Sequence, residues 1–253
     1  MTTLAHHRAT PPPQHPGYAV IRVIGEVLIT LGIVVFLFIA YELWFTGLFT
    51  ARAQSNLKEQ LKVRWATTAP VVPSASPSAG ATAPAVPAVA PELVLPGDAI
   101  GLIRIPRLGA NYGFAIVEGV STSDLQKGPG HYPGTAGPGQ IGNFVLSGHR
   151  TTYLAPFNGL GDLAKGDAIV IETRDTYYTY RVTELKVVLP TEVGVVLPVP
   201  DTPRAKPTQA LITLTTCTPK YSATHRLIVD GLLESALPKA AGPPPALTAG
   251  AGS

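Results

Sequence analysis

The sequence predicts an all-β folded domain, closed or nearly closed into a barrel with short helices. It is preceded by one N-terminal transmembrane helix and a Pro/Ala-rich linker. Three observations predict this. Between residues 92 and 239, short runs rich in Val, Ile, Thr and Tyr alternate with turn signals, and no amphipathic pattern of three or more turns intervenes. Val23 to Phe49 is the chain's one long apolar stretch. Ala66 to Pro91 carries no charge and is rich in Ala, Pro, Ser and Thr, a composition that favours extended polyproline-like chain over a core.

In chain order, residues 1–20 are rich in His, Thr and Pro and are expected to form a disordered tail. Residues 21–49 are expected to be a signal anchor. Val27 to Tyr41 is uncharged, and Glu26 and Glu42 bracket it at about 24 Å along a helix, which places both carboxylates near headgroups. Arg22, four residues before Glu26, can pair with it. Tyr41, Trp44 and Phe45 fit an interfacial aromatic belt. Ala51-Arg52-Ala53 resembles a cleavage site, but the apolar run exceeds a signal-peptide core, which favours an uncleaved helix. Residues 50–91 read as a stalk whose polar start can extend the helix. Residues 92–239 read as the folded domain and 240–253 as a loose tail. Strands are predicted at 99–105, 143–147, 167–173, 177–188, 211–216 and 227–232. Short helices are predicted at 122–127 and 155–163. The turns fall at Pro96-Gly97-Asp98, Lys165-Gly166-Asp167, Arg174-Asp175 and Asp201-Thr202-Pro203.

The net charge is +3 with scattered basic residues, which argues against nucleic acid as a partner. A single cysteine excludes an internal disulfide, so Cys217 is either a buried small hydrophobe or a reactive thiol. The sparse carboxylates lack a regular ligand spacing, so neither a metal nor another cofactor is expected.

Three segments can carry chemistry. In Leu211-Ile212-Thr213-Leu214-Thr215-Thr216-Cys217-Thr218-Pro219, a strong β-run ends on the cysteine and Pro219 stops the strand. In Phe144-Val145-Leu146-Ser147-Gly148-His149, an apolar strand runs out into a turn bearing a histidine, a residue that can protonate a leaving amine near neutral pH. In His225-Arg226-Leu227-Ile228-Val229, an arginine opens a strand and can aim its fork at a developing oxyanion. Each alone has a bland alternative: a core cysteine, an idle loop histidine, a strand-edge arginine. Arg150 and His225 are decoys for the two polar roles. Together the three supply a nucleophile, a proton carrier and an oxyanion donor. No Asp or Asn stands out as a partner that would orient the histidine.

Thr213-Leu214-Thr215-Thr216-Cys217 resembles the sortase signature Thr-Leu-x-Thr-Cys, with an arginine nine residues on, and Ser147-Gly148-His149 resembles the sortase histidine motif. The order His, Cys, Arg is the family's, and the likeness covers about Pro96 to Leu233. Gly128-Pro129-Gly130-His131-Tyr132-Pro133-Gly134 and Thr216-Cys217-Thr218-Pro219 make it most similar to class E, the housekeeping type of high-GC actinobacteria. The resemblance implies an eight-stranded sortase barrel with Cys217, His149 and Arg226 as catalytic residues and no cofactor. It implies protein substrates with a C-terminal sorting signal, cleaved at Thr-Gly, and a peptidoglycan precursor amine as acceptor. It also implies a single pass through the cytoplasmic membrane, with residues 1–20 inside and the domain outside. Class E members prefer Leu-Ala-x-Thr-Gly to Leu-Pro-x-Thr-Gly, a preference linked to a tyrosine before the histidine, for which Tyr112 is the candidate. His131, Tyr132 and Thr216 are further candidates for substrate binding. The long connection 185–206 corresponds to a family loop over the substrate groove, and Val193–Val199 is apolar enough for that. A hydrolase of the same fold, releasing product to water, is the alternative enzyme. A pilin-polymerising sortase lacks support, since no Asp-Pro-aromatic lid motif precedes the domain. A non-enzymatic barrel with a buried thiol is the remaining reading.

Overall fold

The structure, a computed structural model, describes residues 16–41, 46–67 and 95–248. The tail to residue 15, the expected boundary residues Glu42, Trp44 and Phe45, the linker from 68 to 94 and the chain end from 249 lie outside the described residues. The chain divides into two compact units, Met1–Phe45 and Thr46–Ser253.

In the first unit, helix α1 spans Pro16–Ala40. Gly17–Ala40 has a mean hydropathy of 2.7 and, by length and composition, can cross a membrane. Glu26 is paired with Arg22 at 2.8 Å, one helical turn away.

The expectation of an all-β fold is corrected by the helices. Besides the 25 residues of α1, the second unit opens with a 22-residue helix, α2 (Thr46–Thr67). Its composition is polar, which hid its role, because a helix needs only one narrow seam to dock. Leu57 and Leu61, one turn apart, are buried against Ala99, Ala115 and Val117 of the barrel wall, with Trp65 packed beside them. Buried Gln54 completes the seam: its amide donates to the carbonyls of Ala115 (3.0 Å) and Lys127 (2.7 Å), and its oxygen accepts from the Ala115 N–H (2.7 Å). Thr50 Oγ1 donates to the Gln126 carbonyl at 2.8 Å. Leu61 is 1% exposed, so Leu61→Ala is expected to cost about 2–5 kcal/mol, read from urea unfolding of a chain starting at Thr46. A loss below about 1 kcal/mol would mean that α2 is only loosely attached.

The barrel closes in the order β1-β2-β3-β4-β7-β8-β6-β5. The strands are β1 (Ala99–Arg104), β2 (Phe114–Glu118), β3 (Gly130–His131), β4 (Gly142–Ser147), β5 (Ala168–Glu172), β6 (Thr176–Val188), β7 (Ala210–Thr218) and β8 (His225–Pro238). Two short helices, α3 (Thr122–Leu125) and α4 (Pro245–Thr248), complete the unit, and Ser121 and Asp124 cap α3 reciprocally. The β2–β3 and β4–β7 pairs are parallel and the others antiparallel. Phe144, Leu146, Ile212, Leu214, Leu227 and Val229 point into one interior core with Ile103, Ile171 and Tyr180. By period-two alternation, Asn143, Thr213, Thr215 and Cys217 lie on the outer face of the wall.

The segment predicted as a helix at 155–163 forms a turn and a single 3-10 turn at Leu160–Asp162 instead. β2 and the two-residue β3 were not anticipated. The connection from β6 to β7 is fastened to the outer face. Asn143 Nδ2 donates to the carbonyls of Val195 and Leu197, each at 3.1 Å, while Lys186 binds Asp201 at 2.6 Å and Asp230 at 3.0 Å. Val195 is buried by this and Val193 stands exposed.

Candidate active site

Three neighbouring strands, β4, β7 and β8, converge on one end of the outer face. In the antiparallel β7–β8 pair, Cys217 stands directly opposite Arg226. Opposed residues place their side chains on the same face, about 4.5–5.5 Å apart at Cβ. β4 runs parallel to β7 and its last pair is Ser147 with Thr215. Continuing that register by two residues brings His149 level with Cys217.

The chain leaves β4 without leaving β7. Gly148 N–H donates to the Thr215 carbonyl (3.1 Å), and Thr216 Oγ1 donates back to the Gly148 carbonyl (2.7 Å). Phe157 returns beneath this turn, its N–H on the His149 carbonyl at 3.0 Å. A Cβ on residue 148 would lie 2.7 Å from the Phe157 ring, so only glycine fits. Where β4 would have offered the next ladder donor, Arg150 supplies one from its side chain: Nη1 donates to the Cys217 carbonyl at 3.2 Å.

Cys217 is half-buried. Arg226 anchors Nη1 on the carbonyls of Ala223 (3.0 Å) and His225 (3.1 Å), which orients its fork at the mouth of the β7–β8 loop. His149 Nε2 is buried and has no hydrogen-bond partner among the described residues. A buried ring nitrogen left unpaired is costly in a finished structure, but it is what a proton-transfer group shows before its substrate arrives. Asn158, a carboxamide near this turn, is engaged with the Arg150 carbonyl and Lys220 rather than with the imidazole.

Burial pushes the His149 pKa below its ordinary value. Unfolded histidine protonates near pH 6.5, and the folded one only at lower pH. Between those values the unfolded chain binds more protons. Stability is therefore expected to fall as pH drops through about 6.5 toward the folded pKa. His149→Gln should flatten the urea midpoint over that interval, and an unchanged slope would contradict the assignment.

The other expected site residues lie apart from this end, or have their polar atoms engaged. Thr216 spends its hydroxyl on Gly148 and is 2% exposed. His131 on β3 pairs with Leu146, below the end of β4. It is buried, with Nδ1 at 2.7 Å from Glu118 and Nε2 at 2.9 Å from Thr135 Oγ1. Tyr132 sits lower still, its N–H on the Val145 carbonyl. Tyr112 packs edge-on to Phe114, and its hydroxyl donates to the Pro156 carbonyl at 2.8 Å. Burial raises its phenol pKa. It thus braces the loop that follows His149.

That loop holds features the sequence reading passed over. Tyr153, Leu154 and Ala155 all adopt left-handed φ values of 52°, 60° and 44°. For residues with a Cβ this costs about 1–2 kcal/mol each. The Tyr153 ring lies 4.9 Å from the His149 ring. An aromatic four residues past the histidine was the available signal.

The sortase domain family matches residues 103–234. Sortase SrtE1 of Streptomyces coelicolor is 37% identical over 92% of this chain, and the match spans 63% of that relative's length, just short of two thirds. Sortase SrtE2 of the same organism is 33% identical over 84% of this chain and 81% of its own. Among solved structures, Sortase E1 from Streptomyces coelicolor with a tripeptide in the active site superposes with a TM-score of 0.56. It is 39% identical over 61% of this chain and 99% of that one.

Proposed function

Because the chain belongs to the sortase family, we propose that it is a membrane-tethered cysteine transpeptidase. Its substrates are proteins with a C-terminal sorting signal of Leu-Ala-x-Thr-Gly or Leu-Pro-x-Thr-Gly type. The observation that carries the reading is the Cys217–Arg226 register pair beside the Gly148–His149 turn, with a buried, unpartnered imidazole nitrogen.

In the first step the Cys217 sulfur, as thiolate, attacks the threonine carbonyl carbon. The oxyanion forms against the free side of the Arg226 fork. The C–N bond breaks as the glycine amine takes a proton from the His149 imidazolium, which leaves a thioester on Cys217. In the second step an amine of a peptidoglycan precursor attacks the thioester and gives its proton to neutral His149, and the sulfur departs as thiolate. The lowered His149 pKa keeps the imidazole mostly neutral at pH 7, so the imidazolium that protonates the leaving amine is the minority form. No carboxylate need hold the histidine in such a scheme. Tyr112 takes part by fixing the loop behind His149, beside any role in reading alanine. With α1 in the cytoplasmic membrane, the residues that precede it lie inside and the barrel lies outside, where sorting substrates are met. The folded catalytic unit begins at Thr46, since α2 is docked on the barrel wall.

The test is a chain from Thr46 incubated with both peptides, with and without excess amine, and read by mass spectrometry. Amine-dependent joined product is expected. Hydrolysed acid alone, at any amine concentration, would replace this reading with that of a cysteine hydrolase.

A further inference from the structure

Behind the candidate histidine stands a row of contacts that the proposed chemistry does not use. The Tyr153 ring packs on the His149 ring at 4.9 Å with a 39° tilt. Its hydroxyl accepts from Gln126 Nε2 at 3.1 Å. The Gln126 backbone is itself held by α2, through Thr50 Oγ1 on the Gln126 carbonyl and Gln54 on the adjoining Lys127 carbonyl. Leu154, next to Tyr153, approaches α2 as well: a Cβ on Gly47 would lie 3.9 Å from it. The three left-handed residues Tyr153–Ala155 are strained, and strain persists only where the surroundings over-determine it. Here the determinants are Gln126 on Tyr153 and Tyr112 on Pro156, one on each side of the strained turn.

His149 itself has no side-chain hydrogen bond at Nε2 to set its ring. Its imidazole must be oriented by packing, and the tyrosine ring is the aromatic surface against it. We propose that Tyr153 is a positioning residue for His149, held in place by Gln126 and, through that residue's backbone, by the membrane-proximal helix α2. Tyr153 takes no proton and touches no reacting atom. It does what a carboxylate partner does in other nucleophile–histidine sites, by stacking instead of hydrogen bonding. The strained turn presents the ring, and α2 keeps the turn from relaxing.

This inference rests on the transpeptidase reading for its kinetic part but not for its structural part, and the experiment separates the two. The full chain is placed in lipid nanodiscs with labelled histidine, and the His149 ring signal is identified by its loss in His149→Gln. Joining kinetics are measured in parallel. Tyr153→Ala should shift the His149 signal and lower kcat about tenfold with KM within twofold. Tyr153→Phe keeps the ring and should retain the signal position and most of kcat. Gln126→Ala, which frees the phenol, should fall between them. If Tyr153→Ala does not fold, Tyr153→Leu serves as the ring-less variant. An unmoved His149 signal in the ring-less variant overturns the proposal. So does a change in KM alone, which would make Tyr153 a substrate contact, or an equal loss of kcat in the Phe variant. If the wild-type chain joins nothing, the transpeptidase reading fails, while a His149 signal moved by Ala and kept by Phe still supports the positioning role.

Discussion

Cys217→Ala should leave the barrel folded and abolish both joining and acyl-enzyme formation, a loss on the order of 10⁵-fold or more in kcat. The thiol is half-buried near the C-terminal end of β7, outside the interior core, so its removal should cost little stability. No second cysteine can stand in for it. Mass spectrometry of enzyme and peptide together is the check: the wild-type chain gains the acyl mass and the variant does not. Joined product from the variant above the uncatalysed background would rule out the thioester route. A small alkylating reagent offers an independent view. A thiol at this mouth reacts slowly and is protected by a sorting-signal peptide, whereas a core thiol reacts with nothing and needs no protection.

Arg226→Ala should lower kcat by about 10²–10³-fold, the usual loss when one oxyanion donor is removed. The backbone pairing of Cys217 with residue 226 does not depend on the side chain, so the strand stays in register and the thiol stays in place. Arg226→Lys should recover only part of the loss. The guanidinium anchors Nη1 on Ala223 and His225 while presenting its remaining N–H groups, and an ammonium cannot hold that fixed fork. Single-turnover acylation read by rapid quench separates the effect on chemistry from that on peptide binding. An acylation rate within threefold of wild type in the alanine variant would move the oxyanion role elsewhere, with Arg150 the nearest alternative cation because it already touches the Cys217 carbonyl.

The strands that carry these residues were legible in the sequence because each is an apolar or β-branched run beside a turn: β4 before Gly148, β7 before Pro219, β8 from Arg226 onward. Their adjacency was not. Nothing local says that β4 lies parallel to β7, since the ladder joins residues some seventy positions apart. β3 is two residues long and carries no pattern to read. The polar stretch of α2 reads as a helical extension, but its docking on the barrel was hidden for a physical reason: it rests on Leu57 and Leu61 and on Gln54, a residue that composition counts as solvent-facing but that is 4% exposed here. Small residues opposite, Ala99 and Ala115, make room for the helix, and that complementarity exists only once the strands are side by side. His131 shows the converse. Its place in a glycine-rich motif drew attention, and the fold uses it as a buried link between Glu118 and Thr135.

The position of α2 around the barrel has a mechanical consequence. It rests on β1 and β2, and in the closed order each is three strands from the β7–β8 pair, by way of β5 and β6 on one side and β3 and β4 on the other. A load that reaches α2 enters the barrel at the wall farthest from the thiol. It arrives as shear along a helix seam rather than as peeling of the strands that hold Cys217 against Arg226. Cys217 and Arg226, in register on the opposite wall, are the last to feel it.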